Sequence, residues 1–287
     1  MTTDSDRDFL KKVESTGFCQ DCGGGGASRA LQRIAIDRVL DRLDRLLAAK
    51  DVNAAEAHLK YWLGEAEACG DNAARLTVLN ELMGFLRKQG RGEEAKAAAS
   101  SALDEFGADN DFSDTVFFAT TCLNAATVFK AFGEPERALP LYEKCRSIYD
   151  RKLEPDDVRY GGLYNNMGLA LAELGRHDEA RSAFDAAISV QEPFGSETAL
   201  DRAITWLNIC DLEDAESEEP DSENSEAIDR CIEKAYELIA DPGIPRDAYY
   251  AFVCEKCAPV FGYYGYFLYK NQLEAAAEEI NERYRTS

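Results

Sequence analysis

Residues 164–184 read YNNMGLALAELGRHDEARSAF. Most of this stretch is composed of strong helix formers, yet its first half holds two adjacent asparagines and a glycine. A glycine inside a helix costs roughly 1 kcal/mol against alanine, and asparagine is also a poor helix former. Gly168 therefore needs a packing reason and the asparagines need another.

The packing reason emerges when the chain is laid against itself. Residues 121–145, TCLNAATVFKAFGEPERALPLYEKC, align with 163–187, LYNNMGLALAELGRHDEARSAFDAA, at a constant offset of 42. Gly133 matches Gly175, Ala138 matches Ala180, Tyr142 matches Phe184 and Asn124 matches Asn166. Upstream, Gly90 and Ala95 precede Gly133 and Ala138 by 43, and downstream Asn208 follows Asn166 by 42. A fixed period of this length marks stacked supersecondary units. The slot of Gly168 holds Ala126 in the preceding unit and Cys210 in the following one. Small residues there, facing Ala138 and Ala180 on the second helix, allow two antiparallel helices to approach closely. Cys145 occupies the slot of Ala187 and reads as a small hydrophobe.

Residues 164–193 also carry Tyr164-x2-Met167-Gly168-x2-Leu171, Ala180-x3-Phe184 and, one place late, Pro193, close to the spacing of a helix–turn–helix repeat. The chain resembles the tetratricopeptide repeat family. Its 42-residue period and the phrase PDDVRYGGLYNNMGLALAELGRHDEA (155–180) resemble the kinesin-light-chain type, as found in stand-alone bacterial proteins. The resemblance is clearest over 72–192. It implies an all-α solenoid of about six antiparallel helix pairs in a right-handed superhelix. The expected helices are 30–48 and 52–69, 72–89 and 92–106, 113–132 and 135–151, 158–174 and 177–192, 197–214 and 224–240, 247–269 and 272–284. Gly90, Gly133 and Gly175 sit where a left-handed helix stop is expected.

The expected domain plan is a flexible tail over 1–28 and a solenoid over 29–287. Within the solenoid, an acidic loop insertion is expected at 213–225 and an aromatic-rich C-terminal cap at 247–287. The run DLEDAESEEPDSENSEA (211–227) reads as a solvated loop, with docking of a basic partner as its alternative role. The tail carries CQDCGGGGAS, which no packed element accommodates.

Asn124, Asn166 and Asn208 form a row, one per unit; Asn80 lies in the comparable segment, one position out of register. The core stripe of the first helix runs through Tyr164, Met167, Gly168 and Leu171. Asn166 lies about 200° round from Tyr164, on a stripe with Gly162, Leu169 and Glu173. First helices line the concave surface of a solenoid, so this row should face a groove. A carboxamide both donates and accepts, and so can hold a peptide bond whatever side chains the peptide carries. The resemblance implies that Asn124, Asn166 and Asn208 contact partner backbone. The competing reading is that they bond neighbouring helices. Asn165, off the row, reads as structural.

The 54 acidic against 32 basic residues give a formal charge of −22, which repels nucleic acid and favours a protein or peptide partner, with a basic one steered toward it. The polar start MTTDSDRDFLKK lacks a secretory h-region, and no stretch is apolar enough to span a membrane. With nine cysteines and no such signal, a reducing cytoplasm is expected. The oligomeric state is not legible.

Two C-x-x-C pairs, Cys19/Cys22 and Cys254/Cys257, could supply four thiolates to zinc. The array places its ends some 50 Å apart. The eight residues from Cys22 to Ala30 reach about 28 Å, which disfavours one closed site. Pro259 should bend or end the helix that carries the second pair. Nine aromatics over 249–269 read as a cap on the last unit or as a second binding surface. His58 and His177, the only two histidines, fall in no catalytic arrangement, and His177 should be exposed in its turn. CGGGGAS lacks the lysine of a phosphate loop. The reading is a non-catalytic adaptor, with a peptide-sensing regulator and a metal-dependent assembly protein as alternatives.

Overall fold

In the computed structural model, residues 33–107, 112–216 and 222–286 are described. The secondary structure of the described residues is helical throughout. In chain order the helices are α1 (Ile36–Ala48), α2 (Val52–Cys69), α3 (Asn72–Lys88), α4 (Gly92–Phe106), α5 (Val116–Ala131), α6 (Pro135–Lys152), α7 (Arg159–Glu173) and α8 (His177–Gln191). A short 3-10 segment, Glu192–Thr198, then leads into α9 (Ala199–Glu216), α10 (Ser222–Ile239), α11 (Ala248–Tyr263) and α12 (Phe267–Thr286).

The chain divides into two compact units, one ending at Ser113 and the other beginning at Asp114, where the sequence suggested one array over 29–287. The first unit contains α1 to α4. Helix α1 is amphipathic, with Ile36, Val39, Leu40, Leu43 and Leu46 buried on one stripe. Asp51 and Asp71 cap α2 and α3 by accepting the amides of Ala54 and Ala74 at 3.0 and 3.1 Å. Asp71 also accepts the amide of Ile34, 37 residues earlier, and so ties the entry of α1 to the start of α3.

The second unit contains α5 to α12 as four antiparallel pairs. Small buried residues mark the first two crossings, Ala126 with Ala138 and Cys145, and Gly168 with Ala180 and Ala187; Cys210 takes the same slot on α9. Tyr142 and Phe184 are fully buried, each contributing about 2–3 kcal/mol of apolar burial. The first helices α5, α7, α9 and α11 also touch one another in succession, whereas the second helices make no comparable contact with each other. The first helices therefore form the inner layer of this unit.

The turns inside the pairs repeat one construction. Gly133 and Gly175 hold φ of +75° and +70°, a left-handed conformation that only glycine adopts without strain. The two residues at N-cap and N3 of the following helix then pair by charge. Arg176 meets Glu179 at 2.7 Å and Arg91 meets Glu94 at 2.5 Å, while Glu134 and Arg137 make the same pair with the signs exchanged.

Several expectations are corrected. α1 starts at Ile36 rather than 30, since residues 33–35 are not helical. Pro259 neither ends nor terminally breaks its helix, because α11 continues to Tyr263. The last turn falls at Tyr264–Tyr266, with Gly265 at φ +84°, six residues before the expected one at 270–271. Helix α9 runs to Glu216 and α10 begins at Ser222, so both reach into the segment 213–225 expected as a loop, and residues 217–221 lie outside the described residues. Acidic side chains are acceptable on an exposed helix face, and composition alone could not place the ends. The tail over 1–28 lies outside the described residues.

Candidate functional site

The four sequence-predicted amides divide between the two units: Asn80 on α3 of the first, and Asn124, Asn166 and Asn208 on α5, α7 and α9 of the second. All four are half-buried, so none lies in the packed interior. The three in the second unit sit on successive helices of its inner layer.

Their hydrogen bonds distinguish them. Asn166 donates its Nδ2–H to the carbonyl of Gly162, one turn back, at 2.8 Å, and Asn80 does the same to Leu76 at 3.1 Å. In Asn166 that bond fixes the side-chain rotamer and uses one donor, which leaves an amide with further donor and acceptor capacity. Asn208 is engaged differently. Its Nδ2–H donates to Oδ1 of Asn165 at 2.8 Å, and the Thr205 hydroxyl donates to the same oxygen at 3.1 Å. Asn165 on α7 thus clamps α9 and draws Asn208 into that clamp. Leu123 precedes Asn165 by one period, so the α5–α7 junction has no equivalent.

Around Asn166 the inner face carries Gly162, exposed and open enough to take a Cβ without contact, with Leu169 half-buried and Glu173 exposed. Lys130 of α5 reaches Glu173 at 3.5 Å. The core stripe behind it runs through Tyr160, Leu163, Met167, Gly168 and Leu171. Tyr164, placed in that stripe by the sequence, is half-buried and stacks on Tyr160 instead. Aligning Gly175 with Gly265 puts Lys256 of α11 where Asn166 stands in α7, with its Nζ 5.8 Å from the ring of Phe252. The sequence reading missed this because the last turn was set six residues late.

Of the two cysteine pairs, the second lies among the described residues. Cys254 and Cys257 are buried on α11, and burial pushes the Cys257 thiol up to about 12. Buried neutral thiols of this kind act as packing groups. Cys19 and Cys22 lie outside the described residues, and among those described no group of three or more His, Cys, Asp or Glu could hold a metal ion. Cys122, Cys145, Cys210 and Cys231 are likewise buried in helix packing. His58 meets the Val39 carbonyl through Nε2 at 2.9 Å, and His177 is half-buried, not exposed, at the start of α8.

The tyrosines of the last pair are a set of hydrogen-bond donors that the sequence did not assign. Tyr249 donates to Asp201 at 2.7 Å, Tyr264 to Asp211 at 3.1 Å and Tyr266 to Asp229 at 2.6 Å. Desolvation raises the carboxyl groups of Asp201 and Asp211 above the ordinary aspartate value, and the tyrosine hydroxyls partly offset this. Inside the pair, Tyr236 stacks on Tyr269, and Tyr269 on Tyr266.

Paired helices with small-residue crossings, glycine-stopped turns and a layer of first helices define a helical repeat solenoid. Residues 117–192 match the tetratricopeptide repeat family. The chain is similar to Protein KINESIN LIGHT CHAIN-RELATED 1 of Arabidopsis thaliana, 24% identical over 123 residues; these are 43% of this chain and a fifth of that protein's length. Among solved structures, the putative kinesin light chain of Podosopora anserina, with nearly identical TPR-like repeats, superposes at a TM-score of 0.51. It has 15% identity and covers 75% of this chain and 99% of that one. A Rap protein complexed with competence and sporulation factor superposes at 0.56, with 12% identity, over 88% of this chain and 66% of that one. Among the described residues, no helix is long and apolar enough to cross a membrane.

Proposed function

We propose that this protein is a non-catalytic scaffold that grips a segment of a partner protein or peptide along the inner layer of its second unit. Asn124 and Asn166 would make the backbone contacts, with Asn208 shared between that surface and the repeat junction. The observation that carries the reading is the placement of half-buried amides on successive first helices, with Asn166 fixed by its own helix backbone at 2.8 Å. A pre-set amide binds an extended backbone without paying to order its own side chain. Asn80 repeats the back-bonded geometry in the first unit and would serve a separate contact there.

The fold neighbour that is complexed with a signalling factor supports a peptide-sized occupant and is compatible with a regulator acting by protein contact. The charge of −22 favours a basic occupant in an intracellular compartment and disfavours nucleic acid. Zinc held by Cys19, Cys22, Cys254 and Cys257 has no support from the buried state of the second pair.

The test is a quantitative pull-down from the source cells with wild type and with Asn124→Ala/Asn166→Ala. A prey recovered by wild type and lost by the variant, at matched melting temperature, supports the groove. Equal recovery of every prey removes it.

A further inference from the structure

At the α11–α12 turn, three large apolar side chains stand in solvent within six residues of chain. Tyr263 is 75% exposed, Phe267 63% and Leu268 68%. Among the described residues few large apolar groups are so exposed, and these three are the most exposed of them. They are not loosely held. The turn is closed by backbone bonds from Tyr266 to Phe261 and from Phe267 to Gly265, at 2.8 and 3.0 Å. On its inner side the adjoining Tyr266, Tyr269 and Tyr236 form a stacked series over the buried ring of Phe261. Phe267 and Leu268 stay mostly in solvent beside that series.

The surroundings are acidic. The hydroxyls of Tyr263 and Tyr264 reach Asp214 and Asp211 at the C-terminal end of α9, and Tyr266 reaches Asp229 of α10, with Glu233 beside it. Lys270 lies over Gly262 and is drawn toward Glu274 at 3.6 Å, and Arg181 is paired with Glu213 at 2.8 Å. Helix α9 adds its own carbonyl end at Asp214, which deepens the negative potential there. An apolar cluster rimmed by one sign of charge selects an occupant of the opposite sign that also carries apolar groups.

We propose that the Tyr263–Phe267–Leu268 surface docks a basic amphipathic helix of a partner protein, with its apolar residues on Phe267 and Leu268 and its Lys or Arg side chains on Asp211, Asp214 and Asp229. The surface is separate from the amide row, so either site can fail without the other. A second copy of this chain is a poor occupant, because two faces of the same negative sign would meet.

The probe is a synthetic helical 18-residue peptide of Lys, Leu and Trp, titrated against the full-length protein by fluorescence anisotropy. Its counterparts replace every Lys by Glu, or every apolar residue by Ser. The basic amphipathic peptide should bind, with affinity falling as salt is raised. Phe267→Ser/Leu268→Ser and, separately, Asp211→Asn/Asp214→Asn should each weaken it by about tenfold or more, which is about 1.4 kcal/mol. Asn166→Ala should leave it unchanged. Because Phe267 and Leu268 are exposed, the first variant should keep the wild-type melting temperature. The proposal is overturned by any of three results: both double variants bind as wild type does, the Glu peptide binds equally well, or wild type sediments as a dimer that Phe267→Ser/Leu268→Ser disperses.

Discussion

Gly168 of α7 lies against the ring of Phe184 of α8 so closely that a Cβ on the glycine would stand 2.5 Å from the ring Cε1 and 2.6 Å from Cδ1. The ring is fully buried and rigid, so it cannot yield as the end of a flexible side chain would. Gly168→Ala should therefore destabilise the second unit by about 1–2 kcal/mol, with overpacking outweighing the gain of about 1 kcal/mol in helix propensity. Gly162, in the same helix with nothing near its Cβ position, should give the opposite sign, a gain of about 0.5–1 kcal/mol on Gly162→Ala. Urea denaturation of the two variants checks this. Adding Phe184→Leu to Gly168→Ala should recover part of the loss, since the smaller side chain makes room, and equal signs for the two glycines would show that close approach is not the reason for Gly168.

Lys50 occupies the left-handed turn position between α1 and α2 that Gly90, Gly133 and Gly175 occupy elsewhere, with φ at +55°. A lysine there carries about 1 kcal/mol of backbone strain. Lys50→Gly should raise stability by somewhat less than that, because glycine also gains freedom in the unfolded chain. The gain should appear as a higher urea midpoint with an unchanged m-value, and a loss would mean that the lysine side chain holds this turn.

The period and the small-residue slots were legible because stacking imposes them once per unit. The sequence placed Gly168 in a small-residue slot opposite Ala180, and the structure adds that the ring of Phe184 is what it lies against. The second, third and fourth pairs were placed well for the same reason, since the turn inside each carries a glycine. What failed was local. At the last pair, Gly265 stands inside the run YYGYFLY (263–269), where aromatics on both sides hide the turn, so Lys256 was not recognised as the successor of Asn166. Pro259 sits within α11, where the proline rule favours an end, because tertiary packing of Phe261 and Cys257 holds the helix together past it. The row of asparagines was visible, but which of them is committed to a neighbour was not. That depends on Thr205 and Asn208 of α9 both donating to Asn165 of α7, a relation no spacing encodes.

Asn165 and Asn166 are adjacent in sequence and should behave oppositely. Asn165→Ala removes the acceptor for Asn208 and Thr205 at a half-buried junction and should cost about 1–2 kcal/mol. Asn166→Ala removes only a bond to its own helix and adds helix propensity, so its effect should lie within about 0.5 kcal/mol. Chemical denaturation of the two single variants measures the contrast. If Asn166→Ala costs as much as Asn165→Ala, the Asn166 amide is structural and the proposed groove loses its main contact.

Acid should destabilise each unit through a different carboxylate. The hydrogen bonds from Arg91 and then Lys60 lower Glu56 of the first unit from 4.5 to about 2, and those from Lys152 and then Arg151 lower Asp114 of the second unit to about 2. A carboxylate whose folded value lies below its unfolded one contributes stability that is fully present above the unfolded value and is lost as pH falls through the folded one. Both contributions should thus disappear between about pH 4.5 and pH 2. Asp201 and Asp211 have the reverse sign: burial raises them, so they cost stability at neutral pH and that cost is relieved as pH falls toward their unfolded value. Melting temperature against pH should fall steeply below about pH 4, and Glu56→Gln or Asp114→Asn should each flatten that limb. Asp201→Asn, whose amide oxygen still accepts from Tyr249, should instead flatten the slope above about pH 4 and leave the acid limb in place. An acid limb unchanged in both Glu56→Gln and Asp114→Asn would assign acid unfolding to other carboxylates.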